Sequence, residues 1–147
     1  MTNAQNSRSS SGTQLRPGPI LVVDDYDDAR GALRDVLEER GYAVIEAANG
    51  QEALTFLASR PDANVRLILL DLQMPVMDGW QFLKVLRSYV RLASIPVIVV
   101  SAHAPRFQPD ADPGVVGCIH APRDLDQLMN LVATRALPSH PPQARTQ

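Results

Sequence analysis

The stretch "ILVVDDYDDAR", residues 20–30, joins an apolar run directly to four aspartates, Asp24, Asp25, Asp27 and Asp28. A short apolar run of this kind is typical of a strand that is buried on both faces of a sheet. Carboxylates placed together at the end of such a strand repel one another and raise each other's pKa unless a cation compensates them. The stretch therefore predicts a buried parallel strand with an acidic site at its carboxyl end.

The composition describes a globular chain with an aliphatic core. Its 147 residues are most economically one domain, with 45% hydrophobic residues and only 5% aromatic residues. The net charge of -2 provides no basic field for nucleic acid. A single cysteine, Cys118, cannot form an internal disulfide, and no apolar run approaches the roughly 20 residues of a membrane span. We therefore expect a cytoplasmic protein that binds neither nucleic acid nor membranes.

Both ends of the chain differ in composition from the part between them. Residues 1–17 are rich in Ser, Asn and Gln and lack the apolar stretch of a secretory signal, which predicts a disordered leader. Residues 138–147 carry several prolines and almost no apolar residues, which predicts a disordered tail. The folded domain is expected at residues 18–137, and we expect no DNA-binding or catalytic output domain after it.

Apolar runs and helical periodicities alternate along this domain. Strands are predicted at residues 20–23, 43–46, 66–70, 95–100 and 115–119. Apolar spacing predicts helices between them, over Ala29 to Leu37, after a cap at Asn49, after Gly79, and over Leu125 to Val132. Such alternation favours right-handed βαβ units, and hence a parallel sheet between two layers of helices.

The connection between the fourth and fifth strands departs from this alternation. It reads "AHAPRFQPDADPG" and contains Pro105, Pro109 and Pro113. Proline removes a backbone donor and restricts the residue before it, so no uninterrupted helix of ordinary length fits between these positions. We expect the helix of this connection, the fourth of the alternation, to be short or missing.

Polar side chains follow the strands at what should be one edge of the sheet. Asp24 and Asp25 follow the first strand, Asp71 the third and Ser101 the fourth, and open parallel sheets bind ligands at this edge. A divalent cation would compensate the three carboxylates, and Mg²⁺ is usually held by one or two carboxylates together with water and phosphate oxygens. A carboxylate beside such a metal could attack a phosphoryl group and form an acyl phosphate.

Four motifs in order resemble one family closely. They are "LVVDDYDDAR", "LILLDLQMPVMDGW", "IPVIVVSA" and the proline after the fifth strand. Residues 18–137 are similar to the receiver domain of two-component response regulators. The resemblance implies an α/β fold of the flavodoxin-like kind, a doubly wound five-stranded parallel sheet with strand order 2-1-3-4-5.

The resemblance also implies a role for each residue of the acidic site. Asp71 matches the phosphoacceptor and Asp25 the direct Mg²⁺ ligand. Asp24 matches the acid that holds a metal-bound water, and Gln73 would offer its backbone carbonyl to the metal. Ser101 matches the switch hydroxyl. The Mg²⁺ site implied here comprises Asp24, Asp25, Asp71 and Gln73.

Two positions depart from the family pattern. The family places a lysine immediately before the proline that follows the fifth strand, where this chain has Ala121. The aromatic residue that usually accompanies activation corresponds to Cys118. Lys84 is the only lysine in the chain and lies in the predicted third helix, so it does not replace the missing one. The other candidate cations are His103, Arg106, His120 and Arg123.

These observations predict a single-domain receiver that accepts a phosphoryl group on Asp71, with Mg²⁺, from a sensor histidine kinase or a phosphotransfer protein. We expect it to signal through contacts with a downstream protein that the sequence does not name, and no oligomeric state is predicted. It is not expected to be an enzyme, since Asp71 lacks the second acid that a phosphoaspartate phosphatase carries two residues later. The alternative is a pseudo-receiver, a phosphorylation-independent interaction module whose acidic trio is a remnant without metal.

Structural roles, rather than roles in the acidic site, are predicted for Asp27, Asp28 and Trp80. Asp27 is predicted to cap the first helix, and Asp28 to place a favourable charge in its first turn, rather than to bind metal. Trp80 is predicted to pack at the start of the third helix, where it would also serve as a fluorescent reporter.

Overall fold

A computed structural model of the protein describes residues 17–101, 112–120 and 123–139. It contains one five-stranded parallel sheet with the order β2-β1-β3-β4-β5, which confirms the predicted fold class and strand order. The strands are β1 (Ile20–Val23), β2 (Val44–Ala47), β3 (Leu67–Leu70), β4 (Val97–Val100) and β5 (Val115–Ile119). The helices within the described ranges are α1 (Asp27–Glu39), α2 (Gly50–Ser59), α3 (Gly79–Ser88) and α4 (Leu125–Ala133).

The central strands are apolar along their whole length because both faces of the sheet are covered. In β1, Leu21 and Val23 point into a core shared with α2 and α3, where Phe82 is fully buried. The alternate residues Ile20 and Val22 point into a second core shared with α1 and α4. This alternation is the ordinary consequence of strand geometry, and it explains why these strands lack a polar face.

The helix boundaries follow local capping chemistry. The Asn49 side chain accepts a hydrogen bond from the Glu52 backbone N–H at the start of α2, which confirms the predicted cap. Asp78 and Gln81 form a reciprocal capping box at the start of α3. Gly41 adopts a φ of 92° just after α1, a left-handed conformation that glycine accepts without strain.

The predicted strand limits agree with the structure to within two residues. β1 and β5 have the predicted bounds, β2 is displaced by one residue, and β3 and β4 begin later than predicted. The pairing of β4 with β5 is irregular, because Val97 lies opposite Val115 whereas Ile98 lies opposite Gly117. Differences of one or two residues at the ends of an element are ordinary for boundaries predicted from sequence.

Most of the two chain ends and of the β4–β5 connection lies outside the described ranges. The expected short or missing helix falls at residues 102–111, and the predicted leader and tail fall largely at residues 1–16 and 140–147, all outside the described ranges. Pro17 pairs with Leu137 in an isolated bridge, and the Ser139 N–H donates to the Gly41 carbonyl. No helix of the described ranges has the length and apolar character needed to cross a membrane.

Candidate metal and phosphoacceptor site

The sheet itself places Asp24 and Asp71 beside each other. Val23 and Leu70, the last residues of β1 and β3, are paired across the two neighbouring strands. The backbone bonds continue one step further, since the Asp71 N–H donates to the Val23 carbonyl at 2.9 Å and the Asp24 N–H donates to the Ala47 carbonyl at 3.1 Å. The two carboxylates therefore leave adjacent strands at the same level of the sheet.

Asp24, Asp25 and Asp71 form the acidic cluster of this edge. A carboxylate oxygen from each lies within 4.8 Å of those of the other two. Asp24 is buried, Asp71 is half-buried and Asp25 is exposed, so the cluster opens to solvent on one side. Three hard oxygen ligands at this separation, with room for water, fit the way proteins hold Mg²⁺.

Within the described residues, no cation forms an ion pair with the three carboxylates of the cluster. The pKa of Asp24 is raised to about 6, first by burial and then by the negative charges of Asp71 and Asp25, against a hydrogen bond from the Tyr26 backbone N–H that lowers it. The pKa of Asp71 is also raised, mainly by burial. A side-chain hydrogen bond between Asp24 and Asp71 raises the pKa of Asp24 and lowers that of Asp71. Two acids that meet at this distance disfavour each other's charged form.

Ser101 and Gln73 complete the surroundings of Asp71. Ser101 is buried at the end of β4, and its hydroxyl donates to the Asp71 carboxylate, which lowers the pKa of that group. The Gln73 backbone N–H donates to Asp71 Oδ1 at 3.2 Å and has the same effect. The structure thus brings together all five residues singled out from the sequence, while the role of the Gln73 carbonyl as a metal ligand stays a prediction.

The start of α3 packs directly on the loop that follows Asp71. The Gly79 N–H donates to the Leu72 carbonyl at 2.8 Å. A Cβ at Gly79 would lie 2.6 Å from Leu72 Cα and 2.8 Å from the Asp71 carbonyl oxygen, so only glycine fits here. Between them, Val76 has a φ of 69° and is the centre of a tight turn closed by a hydrogen bond from the Met77 N–H to the Pro75 carbonyl.

Arg30 of α1 is a member of the site that the sequence analysis missed. Its guanidinium donates to the Asp24 backbone carbonyl at 2.8 Å, to Glu46 at 3.0 Å and to Asp27 at 2.7 Å. The pairing with Asp27, three residues earlier on the same helix, is visible in the sequence. The contacts with Asp24 and Glu46 depend on the packing of α1 against β1 and β2, which no local pattern shows.

None of the candidate cations in the described part of the chain forms an ion pair with Asp24, Asp25 or Asp71. Arg123 is 78% exposed, and its nearest acidic partner is Asp124 at 4.0 Å. Lys84 is exposed on α3. His120 follows β5, where its carbonyl accepts the Asp124 N–H. Ala121, His103 and Arg106 lie outside the described residues.

An apolar groove runs from the acidic cluster along α1. Its volume is about 500 Å³, and Asp24, Asp71 and Ser101 form its inner end. The apolar wall is formed by one face of α1 and by the first residue of α4, namely Ala29, Ala32, Leu33, Val36 and Leu125. Tyr26, at 63% exposure, lies at its mouth. The groove gives a second molecule an apolar surface beside the Asp71 carboxylate.

One interpretation of a single residue was wrong. Tyr26, not Asp27, is the N-cap of α1, because Asp27 already has helical geometry and its carboxylate is paired with Arg30. Asp28 does lie in the first turn, as predicted. Trp80 lies at the start of α3 and is 48% exposed, so about half of its surface is covered.

Comparisons with known proteins agree with this geometry. The family model of the response regulator receiver domain matches residues 20–133. Sporulation initiation phosphotransferase F of Bacillus subtilis is 35% identical over 116 residues, which are 77% of this chain and 89% of that protein. Sensor histidine kinase CheAY of Helicobacter pylori is 32% identical over 107 residues, and the match covers 69% of this chain but 13% of that protein.

Solved structures show the same likeness. A response regulator receiver protein from Pseudomonas putida has a TM-score of 0.72 and 30% identity, covering 83% of this chain and all (100%) of that one. The response regulator protein TrrA from Thermotoga maritima, solved in complex with Mg²⁺ and BeF, has a TM-score of 0.69 and 27% identity, covering 80% of this chain and 97% of that one. The chain belongs to the response regulator receiver domain family.

Proposed function

We propose that this protein is a receiver that accepts a phosphoryl group on Asp71 with Mg²⁺ and signals through protein contacts. The observation that carries the proposal is the convergence of three carboxylates within 4.8 Å, with a serine hydroxyl bonded to one of them. Clustered carboxylates at a solvent-open edge provide both a metal site and a nucleophile. The relative TrrA, solved with Mg²⁺ and a fluoride of beryllium, supports the assignment by family likeness.

In this proposal each residue of the edge has a distinct role. Asp25, Asp71 and the Gln73 carbonyl would hold Mg²⁺, and Asp24 would hold one of its waters. The metal would neutralise the charge of the phosphoryl oxygens. An oxygen of the Asp71 carboxylate attacks phosphorus, the bond between phosphorus and the donor's imidazole nitrogen breaks, and the imidazole leaves with the bonding electrons. The Ser101 hydroxyl, which now donates to Asp71, would then donate to a phosphoryl oxygen.

The apolar groove indicates how the donor would approach. Its inner end is formed by Asp71 and its wall by α1 and Leu125, so a helix with an apolar face could lie there with its histidine at the acidic cluster. We propose a sensor histidine kinase or a phosphotransfer protein as this donor. We also propose that the protein acts in the cytoplasm, where it would meet such a donor. The protein would be a signalling module and not a metabolic enzyme.

The test is intact mass spectrometry after incubation with acetyl phosphate and Mg²⁺, in parallel with Asp71→Asn. A single phosphate adduct on the parent chain, absent from the variant, is the expected result. Asp71→Asn preserves the shape of the side chain, so both proteins should fold alike, and circular dichroism checks this. A folded parent chain that gains no adduct under conditions where another receiver is modified would refute phosphate acceptance.

The second candidate is a phosphorylation-independent interaction module. Ala121 and Cys118, which stand where the family has a lysine and an aromatic residue, favour it. A pseudo-receiver would bind its partner equally well with and without Mg²⁺ and a phosphate mimic. Backbone NMR spectra distinguish the two functions, because only a working pocket shifts the resonances of residues around Asp71 when Mg²⁺ and the mimic are added together.

A further inference from the structure

A second polar cavity lies at the opposite edge of the sheet from the acidic cluster. It has a volume of about 190 Å³ and sits between the end of α2, the start of β3 and the connection from α3 to β4. Its charged and polar lining comes from Arg60, Asn64, Arg66, Arg91 and Ser94. This arginine cavity is therefore built by two chain segments, residues 57–66 and 91–95, that the fold brings together.

The arginine cavity has an excess of positive charge. Asp62 pairs with Arg60 at 3.4 Å, but both side chains are more than half exposed, so solvent screens the pair. Within residues 17–101, 112–120 and 123–139, neither Arg66 nor Arg91 forms an ion pair. The whole chain carries a net charge of -2, so this local excess is a property of the cavity and not of the bulk composition.

Arg66 is held in place before any ligand arrives. Its side chain lies across Gly18, where an added Cβ would come within 2.4 Å of Arg66 Cγ. Its Nε is buried and has no hydrogen-bond partner within the described part of the protein. Because the stem is packed, binding through the rest of the guanidinium would order little new structure, which favours affinity. A guanidinium also presents paired donors that match the oxygens of an oxyanion.

Ser94 adds a neutral donor to the arginines. It is exposed in the turn before β4, and its hydroxyl makes no hydrogen bond with the other described residues. A hydroxyl beside several guanidinium groups suits a ligand with several oxygens and more than one negative charge.

We propose that the arginine cavity binds a tetrahedral oxyanion with two negative charges, such as inorganic phosphate or the phosphoryl group of a small phosphomonoester. Arg66 is the fixed ligand, Arg91 and Arg60 close over the anion from the exposed side, and the Ser94 hydroxyl donates to one oxygen. The site does not depend on the proposed phosphate acceptance, since it lies at the other end of the strands and requires neither Mg²⁺ nor Asp71.

The test is an NMR titration of the full chain with inorganic phosphate in metal-free buffer, with sodium chloride at matched ionic strength as the reference. Saturable shifts of the Asn64 and Ser94 amides are expected with phosphate and with sulfate, but not with chloride. Arg91→Gln, an exposed position, should weaken binding about tenfold, as expected when one charge-assisted contact is lost. Arg135→Gln, an exposed arginine near the end of α4, should leave binding unchanged.

Two further titrations show whether phosphate binds away from Asp71 and whether the cavity accepts free or esterified phosphate. Asp71→Asn should bind phosphate like the parent chain, and phosphoserine in place of phosphate shows whether the cavity accepts an esterified phosphate. The proposal is overturned if the shifts do not saturate, if Arg91→Gln and Arg135→Gln weaken them equally, or if the shifts appear at Asp24 and Asp71 instead. A failed titration would not bear on the proposed function, because modification of Asp71 by acetyl phosphate is measured separately.

Discussion

The Arg30 side chain donates a 2.8 Å hydrogen bond to the backbone carbonyl oxygen of Asp24 and so joins α1 to the loop that carries the acidic cluster. The same guanidinium bonds to Glu46 on β2 and to Asp27, and it is only 15% exposed. Charge-assisted bonds in a partly buried position are stronger than neutral ones. Arg30 therefore fixes the backbone from which Asp24 and Asp25 project.

Replacing Arg30 by Gln should weaken Mg²⁺ binding about tenfold, the size of effect typical of residues that orient metal ligands. The measurement is a Mg²⁺ titration followed by the fluorescence of Trp80, which follows Gly79, the residue that packs on Asp71 and Leu72. Arg34→Gln is the matched control, because Arg34 also pairs with Glu46 but makes no hydrogen bond with Asp24. Equal losses of Mg²⁺ affinity in both variants would show that the effect comes from the Glu46 ion pairs and not from the bond to Asp24.

The raised pKa of Asp24 makes stability depend on pH when no metal is bound. Because this pKa is about 6 in the folded protein against an ordinary 3.8, the folded state binds more protons than the unfolded state between these values. Stability should therefore fall as pH rises through this window, by at most about 3 kcal/mol from this group, and then level off. Urea unfolding at about pH 4.5 and about pH 7.5 measures the change.

Two comparisons isolate the contribution of Asp24. Asp24→Asn should lose this part of the pH dependence, since the amide carries no charge at either pH. Mg²⁺ should stabilise the parent chain at the higher pH and much less at the lower one, where a proton competes with the metal. Parallel stability curves for parent and variant would contradict the raised pKa.

Gly79→Ala should destabilise the protein by about 1 to 3 kcal/mol and slow phosphate acceptance, because the new methyl group meets backbone rather than a flexible side chain. Gly31→Ala is the control on α1. A Cβ there would meet only Arg34 Nη2, at 3.7 Å, so helix propensity should stabilise that variant by up to about 1 kcal/mol. Chemical denaturation measures the free energy of unfolding of both variants. A Gly79→Ala protein as stable as the parent would contradict the close packing of Gly79 on the backbone of Asp71 and Leu72.

Ala121→Lys should strengthen the structural response to phosphorylation more than it changes acceptance itself. The added ammonium would supply the positive charge that the family places beside the acceptor, and so couple Asp71 to Ser101 more tightly. The readout is the set of NMR shifts produced by Mg²⁺ and a phosphate mimic, with Ser101→Ala as the variant in which coupling should be lost. Identical shifts in the parent chain and Ala121→Lys would refute the prediction.

The sequence predicted the sheet and the acidic cluster well because both follow from strand ends. Apolar runs that alternate with helical patterns predict strands buried on both faces of a parallel sheet. Parallel strands then bring Asp24 and Asp71 to the same edge. Arg30 was missed because its contact with Glu46 spans 16 positions along the chain. The arginine cavity was missed for the same reason, since it joins two segments that are about 25 positions apart in the chain. The cap assigned to Asp27 was wrong because the ion pair with Arg30 offered its carboxylate a stronger partner.

The backbone bonds at the ends of β1 and β3 have a consequence for motion. The Asp24 and Asp71 amides donate to carbonyls of neighbouring strands, so their exchange with solvent deuterium should require opening of the central sheet itself. Asp25, one residue further and exposed, is not held in this way within the described residues. Asp24 and Asp71 therefore keep a fixed separation. Asp25 can adjust its position to the size and charge of the ion or group that binds between the three carboxylates.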